Sequence, residues 1–189
     1  VKNLRGLKNR FILFNSSVVP RKNLHFLINI FKSSQIANLG FDLCVAGKIH
    51  DDKYGEEIKR MSKGDPNIKL LGYVDEIEKA WLFLNAHAFV SPSCVEGFGI
   101  PVLDAATLGL RVIASDIPSH KEIACLVNEN KSVQLLDLSN IDKWIYEFNL
   151  LKTLDLCMEE EIMLRISKFQ SCFKLLKDGF DKTIIDLLI

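Results

Sequence analysis

Apolar positions in this chain recur with two spacings. Six short runs rich in β-branched, aromatic or leucine residues, FILF (11–14), DLCVA (42–46), IKLL (68–71), AFVS (88–91), VIAS (112–115) and SVQLL (132–136), read as strands. The segments between them repeat their apolar residues every three or four positions. The first, 23–39, puts Leu24, Leu27, Ile28 and Phe31 on one face, with Asn23 as its cap and Gly40 as its stop. A more polar helix is predicted over about 53–63, and another begins at Asp75 and turns Ile77, Trp81, Leu82 and Leu84 toward a core. Strands and helices in alternation predict an α/β fold: a Rossmann-like, doubly wound parallel sheet of about six strands with helices on both faces. In such a sheet ligands are expected beyond the carboxyl ends of the strands.

From about Ser139 the pattern is helical only, in 141–151, 158–169 and 172–188. The chain therefore divides into an α/β unit over 1–138 and a helical C-terminal extension over 139–189. Trp144, Ile145, Phe148, Leu176, Phe180 and Ile184 are expected to pack that extension on the sheet unit or on a further domain.

The 24 basic and 24 acidic residues among the 189 cancel, so no global field draws the chain to nucleic acid or anionic lipid. An anion site has to be built locally. Five cysteines (Cys44, Cys94, Cys125, Cys157 and Cys172) show no C-x-x-C pair and no histidine at ligand spacing, which argues against a zinc site or disulfide framework and for a reducing cytoplasm. No stretch has the order of a signal peptide or the length of a membrane span. The start at Val1 leads us to expect a piece of a longer protein.

The candidate chemistry is concentrated in EGFGIPVLD (96–104). Glu96 follows a predicted strand, Gly97 and Gly99 expose backbone, Pro101 suits the first position of a helix, Asp104 falls in its first turn, and Gly109 ends it. Glycine amides and a helix start favour a phosphate, while flanking carboxylates accept hydrogen bonds from hydroxyls. Any one of these residues alone reads as an ordinary turn or helix-start residue. Their joint occurrence points to a phosphorylated sugar.

The longer segment PSCVEGFGIPVLDAATLGLRVIASDIPSHKEI (92–123) resembles the sugar-donor signature of the retaining glycosyltransferases of family four, the glycosyl transferases group 1, which have the two-domain GT-B fold. VPRKN (19–23) and LGYVDEIEKAW (71–81) resemble that family's phosphate and base segments, in the same order. The resemblance covers about 11–123 and concerns the carboxyl-terminal, nucleotide-sugar-binding half. It implies catalytic roles for Glu96 and Lys22. Glu96 would lie beside the sugar hydroxyls, and Gly97, Phe98, Gly99 and Ile100 near sugar and phosphate. Asp104 would meet the ribose, Lys22 with Arg21 the diphosphate, and Val74 the base. No cofactor and no metal are implied, because a cation and aligned amides can stabilise the departing nucleoside diphosphate.

The implied function is transfer of a mannose-like hexose from a nucleoside diphosphate sugar. The acceptor would be a glycan or lipid-linked sugar reached through an N-terminal domain outside this chain, so the isolated domain is expected to bind the sugar donor and transfer little. No nucleic acid partner is implied, and the location would be cytoplasmic, at most peripheral on the inner face of the cytoplasmic membrane. A non-catalytic nucleotide-sugar-binding or interaction module is the alternative.

Two departures from the family pattern stand out: Asp104 replaces the usual Glu, and Asn15, Ser16 and Ser17 replace a Gly or Gly-Arg after the first strand. His25, His50 and His87 lack catalytic spacing to a nucleophile or carboxylate. His120 falls on the ligand side of the sheet and reads as a polar loop residue, with Glu122 capping or orienting that segment; no general base is assigned.

Overall fold

The computed structural model describes residues 4–7, 10–50, 52–127, 132–151 and 162–168. Its six strands are β1 (Arg10–Asn15), β2 (Phe41–Ala46), β3 (Ile68–Gly72), β4 (Ala88–Ser91), β5 (Val112–Ser115) and β6 (Val133–Leu136). All neighbouring pairs are parallel, in the order β3-β2-β1-β4-β5-β6. The crossovers are α1 (Leu24–Ser33), α2 (Lys53–Ser62), α3 (Glu76–Asn85), α4 (Ile100–Thr107) and α5 (Pro118–Leu126), and α6 (Ile141–Leu150) follows β6. This is the doubly wound sheet expected from the alternation of elements.

The four inner strands, β2, β1, β4 and β5, are buried on both faces, and their side chains divide by the two-residue pleat. Ile12, Phe14, Leu43, Val45, Val90 and Ile113 meet α1, α2 and α6. Phe11, Leu13, Cys44, Phe89, Val112 and Ala114 meet α3, α4 and α5. Burial in this apolar setting pushes the Cys44 thiol strongly up, with the nearby Asp42 charge adding to the effect, so it is an inert core group.

Local signals set the helix ends. Asp52 accepts from the Gly55 N–H (2.7 Å) and starts α2, while Asp75 and Glu78 form a reciprocal capping box at α3. The single helix expected over 23–39 is two pieces. At Ser34 the backbone becomes extended and the hydroxyl donates to the Phe31 carbonyl (2.8 Å), so α1 stops and a separate 3-10 turn, Ile36–Leu39, leads to Gly40 at φ 87. A side-chain bond to the preceding turn competes here with helix continuation.

Helix α6 is part of the core. Trp144 and Phe148 are fully buried, Ile145 packs beside them, and Trp144 meets Phe26 of α1 edge to face at 5.3 Å. The Trp144 indole N–H donates to the Asp137 carbonyl (3.0 Å), so burial leaves no orphan donor. Glu147, also buried, pairs with Arg111 (2.8 Å) and Lys143 (3.1 Å), tying the entry of β5 to α6. Residues 162–168 are helical, and Arg165 donates to the carbonyls of Leu84 (3.2 Å) and Ala86 (2.7 Å) at the end of α3. Leu176, Phe180 and Ile184 lie outside the described residues. Among the described residues no helix is long and apolar enough to cross a membrane.

Trp144→Ala removes a fully buried aromatic and leaves the Asp137 carbonyl unpaired. It should cost about 3–5 kcal/mol of unfolding free energy, read as a lowered urea midpoint with little change in slope.

Candidate functional site

The strand order reverses between β1 and β4, and the loops leaving these two strands open a crevice at their carboxyl ends. After β1 the chain is pinned toward β2: the Ser16 N–H donates to the Ala46 carbonyl (3.0 Å) and the Val18 N–H to the Lys48 carbonyl (2.9 Å). It then forms the 3-10 turn Pro20–Lys22, started by a proline that already holds a helical φ. Asn23, at φ 59, redirects the chain into α1, a left-handed conformation that asparagine tolerates better than most residues. The turn is docked on the loop after β4, where the Cys94 N–H donates to the Arg21 carbonyl (2.8 Å).

That docking brings two cations onto one carboxylate. Lys22 Nζ bonds Glu96 Oε1, and Arg21 NH1 lies 3.0 Å from Glu96 Oε2 and 3.4 Å from the Val95 carbonyl. Ser93 Oγ also donates to Glu96 Oε1 (2.8 Å). The Glu96 and Lys22 side chains are only 8% and 9% exposed, so each charge depends on the other for compensation. Burial alone would raise the Glu96 pKa. The bonds from Lys22, Ser93 and Arg21 outweigh it and hold the carboxyl below its ordinary value.

Beside this cluster the loop runs into α4. Gly99 caps the helix at φ 94, and a Cβ there would sit 3.1 Å from Ile123 Cδ1 and 3.3 Å from His120 Cδ2. Glycine is required by conformation and space together. A Cβ on Gly97 would meet nothing within 4 Å, so its backbone faces open space. Phe98 and Ile100 are exposed. The N–H groups of Gly97, Phe98, Gly99 and Ile100 donate to no described residue, which leaves four consecutive amides at the positive end of α4 for an anion. Asn15, Ser16, Lys22, Ser93, Glu96 and Gly99 are among the residues lining the crevice.

The other two expected contact residues lie apart from Glu96. With Gly99 as cap, α4 begins at Ile100, so Pro101 is its second residue and Asp104 its fifth, in the second turn and not the first. Asp104 is half-buried. Burial raises its pKa, Lys79 opposes that shift and Glu76 adds to it, which places its charge near the first turn of α3. Val74 is buried immediately before the α3 cap. The expected residues thus form two groups: Arg21, Lys22 and Glu96 with the glycine loop, and Val74 with Asp104 beside α3.

Three site residues, all serines, escaped the sequence reading, and a fourth, His120, has a different place from the one expected. Ser91 and Ser115 end the neighbouring strands β4 and β5, Ser93 follows, and His120 lies inside α5, fully buried. His120 is therefore not a polar loop residue, and Glu122 is an exposed mid-helix residue that caps nothing. The available signal was a serine closing each of two otherwise apolar strands, AFVS and VIAS.

Comparison with known proteins places this arrangement. The model of the family described as glycosyl transferases group 1 matches residues 1–137. The O-antigen chain mannosyltransferase B of Escherichia coli is 29% identical over 116 residues, 60% of this chain and 30% of that protein. The serotype-specific mannosyltransferase WbdA of Escherichia coli is 30% identical over 129 residues, 65% of this chain and 16% of that protein. This chain spans from 15% to 37% of the length of the curated relatives it matches.

Among solved structures, the catalytic domain of cholesterol-α-glucosyltransferase from Helicobacter pylori superposes with a TM-score of 0.64 at 17% identity, over 89% of this chain and 99% of that one. Anabaena HepE, solved with UDP-glucose, superposes with a TM-score of 0.58 at 16% identity, over 88% of this chain and 49% of that one. Those two likenesses concern the fold alone. The family match, which takes in both the crevice loops and the whole sheet, shows that the chain belongs to the glycosyl transferases group 1.

Proposed function

We propose that this chain is the sugar-donor-binding half of a retaining glycosyltransferase that moves a mannose-like hexose from a nucleoside diphosphate sugar to a glycan or lipid-linked acceptor. The carrying observation is the Glu96 carboxylate, held by Lys22, Arg21 and Ser93 beside four unpaired loop amides at the strand-order reversal. Lys22, Arg21 and the amides are the groups suited to a diphosphate without a metal ion. Glu96 is the acceptor suited to sugar hydroxyls, and Val74 and Asp104 are offered to base and ribose. In this reading the acceptor is bound by a further domain, residues 139–189 extend the 1–138 unit, and the whole enzyme works in the cytoplasm, at most peripheral on its membrane. Mannose is favoured by the names of the curated relatives.

Calorimetric titration separates the two charges. Lys22→Ala should weaken both GDP and GDP-mannose about tenfold or more, since each has the diphosphate. Glu96→Gln frees the cations and leaves the sugar hydroxyls one neutral, weaker acceptor oxygen in place of a charged carboxylate, so it should lower the preference for GDP-mannose over GDP. EDTA should leave wild-type binding unchanged. If neither GDP- nor UDP-sugars bind, or if Lys22→Ala binds them as wild type does, the reading fails.

The same cluster sets the response to acid. Burial pushes His120 below its ordinary 6.5, against the raising effect of the Ser115 carbonyl. The unfolded state therefore takes up this proton first, and the stability held by the neutral ring is lost as pH falls from 6.5 through the folded value. Glu96, held below its ordinary 4.5, contributes stability above 4.5 that is lost as pH falls through its own folded value. Asp104 is raised above 3.8 and works in the opposite sense, its contribution growing as pH falls through the raised value. Thermal melts should show Tm declining in two stages. His120→Phe should flatten the first, below 6.5, and Glu96→Gln the second, below 4.5.

A further inference from the structure

Lysine and arginine neutralise Glu96, but their long stems do not fix where its oxygens point. The short side chains beneath it do. Ser93 Oγ donates to Oε1 at 2.8 Å, and Ser93 is itself bonded by one neighbouring serine and packed against another. Ser115 Oγ donates to the Ser93 carbonyl, and Ser91 Oγ lies 3.3 Å from Ser93 Oγ. Both neighbours of Ser93 converge on His120, whose Nδ1 is 2.9 Å from the Ser115 carbonyl and whose Nε2 is 3.5 Å from Ser91 Oγ.

The polarity of these bonds identifies the ring's form. A carbonyl only accepts, so Nδ1 carries the proton, and in the neutral ring Nε2 accepts the Ser91 hydroxyl proton; with the Ser93 proton given to Glu96, Ser91 and Ser93 then touch without a hydrogen bond between them. Among the described residues, the ionised groups that act on the ring are Glu96, which favours its charged form, and Lys22, which disfavours it. On its other side the ring closes against Gly99, where an added Cβ would come within 3.3 Å of Cδ2. One side chain therefore contacts both supports of Ser93 and the glycine that starts α4.

We propose that His120, as a neutral imidazole protonated on Nδ1, is the positioning residue that aims the Glu96 carboxylate, by fixing Ser91, Ser93 and Ser115 and by seating Gly99. Its consequence for sugar-nucleotide binding rests on the reading of Glu96 given above. Its consequence for Glu96 itself does not. The imidazole touches no ligand in this scheme; it limits the orientations of a group that does, as outer-shell hydrogen bonds limit those of metal ligands.

The test uses the full 189-residue chain. Side-chain nitrogen NMR, recorded well above the ordinary histidine value, should show His120 with a protonated Nδ1 and a bare Nε2. A ring protonated on Nε2, or on both nitrogens, overturns the proposal. His120→Asn keeps an N–H donor near the Nδ1 position, whereas His120→Phe keeps ring volume and no polar atom. In carboxyl 13C NMR the Glu96 titration midpoint should rise in His120→Phe and in Ser93→Ala, and stay at the wild-type value in His120→Asn. An unmoved midpoint in His120→Phe, or equal rises in both histidine variants, overturns it. Should His120→Phe fail to fold, Ser91→Ala carries the same reading, with a raised midpoint expected and an unchanged one fatal.

GDP-mannose affinity should fall about tenfold in His120→Phe and recover in His120→Asn. Because the carboxyl titration needs no sugar nucleotide, an unmoved Glu96 midpoint counts against His120, and failure of the wild type to bind GDP-mannose counts against the site reading alone.

Discussion

Glu96 is the charge around which the crevice is assembled. Its partners come from 74 and 75 positions earlier in the chain, and they meet only because the sheet sets β1 directly beside β4. A carboxylate and an ammonium with side chains this buried need one another, since either alone would carry a desolvation cost of several kcal/mol. The pair thus fixes the Pro20–Lys22 turn against the loop after β4, and with it the mouth of the crevice.

On the proposed function, that pairing also bears on selectivity. In the free chain the cations suited to a diphosphate are already occupied by Glu96. A bare anion competes with the carboxylate for Lys22 and Arg21 and offers nothing to Glu96 in return. A ligand with both phosphates and hydroxyls satisfies both partners at once. Specificity of this kind arises from the cost of leaving a buried group unpaired more than from the strength of any one contact.

Much of the fold was legible because core strands in a parallel sheet are continuous apolar runs: AFVS and VIAS coincide with β4 and β5 residue for residue. Glu96 and Lys22 were legible through a resemblance and through their place after strands. What failed depends on backbone conformation or on contacts distant in sequence. The helix over 23–39 broke at Ser34 because a hydroxyl bonded its own turn, and Asp104 shifted by one residue because Gly99, in a left-handed conformation, moved the helix start ahead of Pro101. His120 looked polar among Ser119, Lys121 and Glu122, yet it is fully buried. Its partners at Ser91 and Ser115 come from two strand ends, and a one-dimensional pattern does not show which strand ends are neighbours.

The second group, Val74 with Asp104, is linked to the first through α4, which carries Asp104. Asp104 lies four residues beyond Ile100, about 6 Å along the helix axis. The helix is seated by Val102, Ala105 and Ala106 against the sheet and by Gly99 against His120 and Ile123. Packing that close resists sliding, because a shift of even a fraction of an ångström drives small side chains into their neighbours or opens voids. The reach lost with Asp in place of the family's Glu, about 1.5 Å for one bond, is therefore not recovered by moving the helix. If Asp104 meets the ribose as proposed, that reach has to be recovered by the ligand or by a bridging water, which makes this side of the crevice the more permissive one and leaves the demand for close placement with Glu96.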